Sequence, residues 1–124
     1  MAFTVSIETG LPYLMVTAAG RATLGELNGL TALIGEVTGH RGLRRVLADL
    51  ARVEPELSFT EHLQFGAHAS DVLRRLEKVA AVVPPAYLDA PSARAAQLAG
   101  LPVRTFLDLA EATAWLQEPA AGRG

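Results

Sequence analysis

The chain has no cysteine. That absence removes a disulfide framework, a thiolate metal site and a cysteine nucleophile together, and it suits a reducing cytoplasm, the expected location. Lysine is almost missing as well: of the eleven basic residues ten are arginine, and Lys78 is the exception. The abundance of arginine and alanine looks like a GC-rich bacterial genome. No stretch approaches the roughly 18 consecutive apolar residues of a membrane span. Nor does Met1-Ala2-Phe3-Thr4-Val5 carry the basic and then apolar pattern of a secretory leader. A net charge of -2 leaves no basic stripe for DNA or RNA. There is no Gly-rich phosphate loop, so nucleotide binding is not expected.

What is present is 124 residues, half of them hydrophobic, enough to bury a core without cross-links. One domain over 1–118 is expected, with a flexible tail at 119–124. Phe3 to Glu8 alternates apolar and polar side chains, the period of a strand with one wet face. Turn chemistry at Thr9-Gly10-Leu11-Pro12 leads into Tyr13 to Thr17, so the two segments predict an antiparallel hairpin that ends at Gly20.

From there the periodicity switches. Thr23 and Glu26 have capping-box spacing ahead of Leu24, Leu27, Leu30, Ile34 and Val37, which predicts a helix over 23–38 stopped at Gly39. Arg45 to Leu50 reads as a buried strand. Ser58 and Glu61 form a second capping box for a helix to about Leu76, expected to bury Leu63, Val72 and Leu73. Lys78 to Val83 is a strand closed by Pro84-Pro85. An alanine-rich helix over 91–99, a strand at Val103 to Phe106 and a helix capped by Asp108 complete the chain. The fold class is α/β, in the order β-β-α-β-α-β-α-β-α: an N-terminal antiparallel hairpin leads into a mostly parallel five-stranded sheet with βα crossovers.

That order resembles the SpoIIAA-like fold group, which includes STAS domains and the related CRAL-TRIO-type lipid-binding proteins. The resemblance is carried by the hairpin ending in Gly20, Val46-Leu47-Ala48-Asp49-Leu50, Lys78-Val79-Ala80-Ala81-Val82-Val83, and Val103-Arg104-Thr105-Phe106 with Glu111-Ala112 and Trp115-Leu116. It covers roughly residues 3 to 117 and is nearest to small stand-alone bacterial STAS-like proteins of unknown function. It implies a non-enzymatic regulatory or protein-interaction module, with a protein partner or a second copy of the chain as its target. The CRAL-TRIO side implies, as the alternative, a lipid or another apolar small molecule as ligand. Signalling STAS proteins carry a phosphorylatable Ser or Thr where the helix after the middle strand begins, in a compact turn. Here Asp49 to Ser58 reads as a longer, acidic loop, with Ser58 at the helix start.

Three sets of residues follow. Ser58, Thr60 and Asp49 are the expected phosphorylation or partner surface, although the capping box explains Ser58 by itself. Tyr13, Met15, Phe65, Tyr87 and Phe106, with Trp115 beside them, are the expected apolar pocket, which predicts an enclosed cavity of roughly 300 Å³ or more. His62 and His68 point roughly 120° apart on their helix, unlike a metal-binding pair, so no metal and no cofactor are expected. Acids collect near helix N-termini and arginines near C-termini, where the macrodipole favours them.

Overall fold

In the computed structural model, which describes residues 2–119, five strands form one sheet in the order of the chain. The hairpin pairs β1 (Thr4–Glu8) antiparallel to β2 (Leu14–Ala22). β3 (Arg45–Pro55), β4 (Lys78–Val82) and β5 (Val103–Phe106) then add parallel to β2, one after another. The α/β class, the order of strands and main helices along the chain, and the antiparallel hairpin followed by parallel strands are as expected from the sequence. The tail expected at 119–124 lies, apart from Pro119, outside the described residues.

A sheet that grows in one direction through right-handed crossovers must put every crossover helix on the same face. α1 (Leu24–Arg41), α2 (Phe59–Val72) and α3 (Pro91–Leu98) accordingly pack side by side. α4 (Leu109–Gln117) follows the last strand, is no crossover, and covers the other face over β3, β4 and β5. Strand parity then sorts the interior. Leu14, Val16, Val46 and Val79 face the three helices, while Leu47, Ala80, Val82 and Phe106 face α4.

Four boundaries differ from expectation, each for a physical reason. β2 does not end at Gly20: it continues to Ala22 because Ala19 to Ala22 find new partners in Arg52 to Pro55. β3 correspondingly runs past Leu50, so most of the expected acidic loop is strand. α1 passes through Gly39 and stops at Gly42, whose φ of 66° gives the left-handed cap that donates its N–H to the Thr38 carbonyl. α2 ends at Val72, with a 14-residue body whose inward stripe is His62, Phe65, Gly66, Ala69 and Leu73. Leu63 therefore lies on the outer face, 41% exposed, rather than in the core. Both predicted capping boxes are made in full, Thr23 with Glu26 and Ser58 with Glu61.

Between the two halves of the β2–β3 pairing sits a β-bulge. Thr17 pairs with Asp49 and Ala19 with Arg52, so β3 holds one extra residue. The Ala51 N–H donates to the Asp49 carboxylate at 3.2 Å. Asp49 thus takes up a donor at the point where the ladder is interrupted.

α4 is fastened by cations at its C-terminal end. Lys78, 3% exposed, donates from Nζ to the carbonyls of Trp115 at 2.6 Å and Glu118 at 2.9 Å, and lies 4.6 Å from the Trp115 ring centroid. Arg45 donates to the carbonyls of Leu116 and Glu118 and pairs with Glu77 at 2.6 Å. Carbonyls left over at a helix C-terminus are where positive charge stabilises most. Burial, with a smaller contribution from Arg45, lowers the Lys78 pKa from its ordinary value. Replacing Lys78 with Met removes one of the two donors from each of the Trp115 and Glu118 carbonyls, leaving the Glu118 N–H on the first and Arg45 on the second. The expected loss is about 2 kcal/mol, read as a lower urea midpoint, with amide exchange accelerated first in α4.

On the opposite face α2 and α3 approach so closely that a Cβ at Gly66 would overlap the Ser92 carbonyl and crowd Ala95. Gly66→Ala is therefore expected to cost about 1–3 kcal/mol through overpacking, measured by chemical denaturation.

Candidate functional site

The inward stripe of α2 meets small side chains on every side. Ala48 and Ala81 form the sheet floor, Gly66 and Ala69 stand on α2, and Ala93 and Ala96 stand on α3. Helices held off a sheet by alanines leave space between them, here an apolar cavity of about 150 Å³. Leu73, Val79 and Leu101 close its deep end. The lining residues that keep some exposure include Leu50, in β3 just beyond its last pairing with β4, Leu57, Pro84 and Tyr87 past the carboxyl ends of β3 and β4, and His62 and Ser92 at the starts of α2 and α3. The cavity therefore opens where parallel sheets ordinarily receive ligands. It is about half the size expected from the aromatic residues and is not enclosed.

The polar groups at the mouth are few. His62 Nδ1 stands 3.4 Å from the Ser92 hydroxyl, and the imidazole stacks on Tyr87 with ring centroids 6.3 Å apart. Burial lowers the His62 pKa below the ordinary histidine value. Among the described residues no lysine, arginine, aspartate or glutamate lines the cavity. The neighbouring carboxylates are engaged elsewhere: Glu61 accepts from the Ser58 N–H, and Arg21 pairs with Glu56 at 3.3 Å and Glu54 at 3.9 Å on exposed surface.

The sequence-derived sets are redistributed. Of the five pocket residues, Phe65 and Tyr87 line the cavity, whereas Tyr13, Met15 and Phe106 belong to the cluster under α4 on the other face. Trp115 is there too, 5.7 Å from Phe106. They do not form one pocket, because odd positions of β2 face away from the crossover helices. Ser58 and Thr60 are exposed at the start of α2, and Ser58 is its N-cap. Asp49 is separated from them by about 20 Å of strand and faces the α4 side, so these three do not share a surface. Leu50, His62, Ala69, Ala81, Ser92 and Ala96 were missed as lining residues. The available signal was the run of alanines and glycine at inward positions of α2, β4 and α3. Among the described residues no group of three His, Asp or Glu is placed to hold a metal ion.

A second depression, about 290 Å³, lies at the opposite edge, lined by Arg44, Arg74 and Arg75 with the end of α1. It is larger and more polar, with three arginines in its lining.

The lowered His62 pKa fixes a pH effect. The folded state resists protonating this ring, so its contribution is complete above the unfolded value near 6.5 and is lost as pH falls through the lower folded value. His62→Gln is expected to flatten the stability profile below pH 6.5, measured by denaturant midpoints at stepped pH.

Comparison with known proteins agrees with this architecture. A crystal structure of an uncharacterized protein of the DUF3478 family from Shewanella loihica PV-4, with a SpoIIAA-like fold, superposes with a TM-score of 0.57 at 19% identity, over 92% of this chain and 93% of that one. No curated protein matches the sequence. The profile of the SpoIIAA-like family matches residues 13–117, from the end of the hairpin turn to the end of α4, and the chain belongs to that family.

Proposed function

We propose that this protein is a non-enzymatic binding module whose working site is the cavity between the crossover helices and the sheet, and whose ligand is a small lipophilic molecule. One observation carries the reading: an apolar space, open at the carboxyl edge of the strands, between the sheet and helices α2 and α3. Small-molecule sites are concave and apolar with a few placed polar groups, and here these are His62, Ser92 and Tyr87. The same inventory argues against catalysis. A serine beside a histidine acts as a nucleophile only when a third group orients the base, and here His62 is stacked on Tyr87 while Glu61 is committed to the helix cap.

A regulatory, protein-binding role is compatible with this site, since SpoIIAA-like domains are modules of that kind. The basic depression formed by Arg44, Arg74 and Arg75 is the feature that supports an acidic partner.

Ala81→Leu places three more carbons on the cavity floor with a stability change of no more than about 3 kcal/mol. Protein purified from its host is expected to release a lipophilic molecule on denaturing extraction, near one per chain by mass spectrometry, and the variant to release none. Equal recovery from both proteins, or none from either, counts against the reading.

A further inference from the structure

The bonds already made inside the cavity determine which ligand chemistry it accepts, given the binding role proposed above. Thr31 and Thr105 bring hydroxyls to the lining, but both are committed: Thr31 donates to the Leu27 carbonyl at 2.9 Å and Thr105 to the Leu88 carbonyl at 2.7 Å. At the mouth the situation differs. The His62 and Ser92 groups are 3.4 Å apart, long for a hydrogen bond, so both keep capacity for a third group that approaches the pair from the cavity side.

Among the described residues the lining carries no charge apart from what His62 could acquire, and burial holds that ring toward its neutral form. An anionic head entering here would lose water and meet no lysine or arginine, a cost that neutral groups do not incur. Size sets the other limit, because an apolar cavity of this order accepts a molecule like benzene.

We propose that the cavity selects an uncharged, compact amphiphile: an apolar body on the order of six or seven non-hydrogen atoms, carrying one hydroxyl or carbonyl that bonds to His62 and Ser92. Carboxylates and phosphates of the same size are rejected. The selectivity comes from missing countercharge rather than from shape, so it acts on molecules that fit equally well.

Three probes of one shape test this: toluene, benzyl alcohol and benzoate, titrated at neutral pH into the full chain and followed by amide chemical shifts. Toluene and benzyl alcohol are expected to shift the amides of Ala81 and Ala96, with the alcohol the tighter. Benzoate is expected to bind at least about tenfold more weakly than the alcohol. In His62→Leu/Ser92→Ala the alcohol is expected to lose its advantage while toluene binds as before, which also reports that the variant is folded. Benzoate binding as tightly as the alcohol overturns the proposal and leaves the cavity's binding role standing, as does an alcohol preference that survives the double substitution. Failure of toluene to bind at all overturns both. Should the variant not fold, the benzoate-to-alcohol ratio of the unaltered protein decides.

Discussion

The handedness of the crossovers governs this molecule. Strands β2 to β5 are laid down in one direction, so each right-handed connection returns over the same face. Three helices then compete for one side of a five-stranded sheet while the other side is left to whatever follows the last strand. The two halves of the interior consequently solve different problems. The crowded face is limited by how closely helices pack, and Gly66 is the point of closest approach. Among the described residues the open face has one nine-residue helix, and charged side chains reach its end from beneath.

The cavity arises from the first of these problems. With α2 and α3 drawn together through Gly66, Ala95 and Ala96, the space below them is filled only if the floor rises to meet them, and Ala48 and Ala81 do not rise. A close-packed interior ordinarily leaves no such gap, since lost dispersion contacts cost stability. The bulge at Asp49 shapes the same floor: the extra residue lets Leu50 and Val53 both face the cavity although three positions apart, which strict alternation forbids.

Much of the fold was legible because its signals are local. The Thr23–Glu26 and Ser58–Glu61 spacings mark helix starts that the structure reproduces bond for bond, and the apolar run at Lys78 to Val82 is the strand buried at every position. The extension of β3 was hidden because Arg52, Glu54 and Pro55 look like loop residues. They are strand only because β2 supplies partners beyond Gly20, a non-local fact. The site was hidden for a related reason. Aromatic side chains advertise a pocket, yet Tyr13, Met15 and Phe106 are on the far side of the sheet, and only knowledge of where α4 docks separates them from Phe65 and Tyr87. The residues that create the space are alanines, and a missing side chain leaves little trace in a hydropathy pattern.

The position of Lys78 has a consequence for chemistry done on the protein. Because the chain has no other lysine, its side-chain amines amount to one group, sealed beneath Trp115. An amine-selective acylating reagent can reach the Lys78 side chain only during the moments when the last helix lifts. The rate of that modification therefore clocks the opening of a specific part of the fold, with no label added and no residue changed.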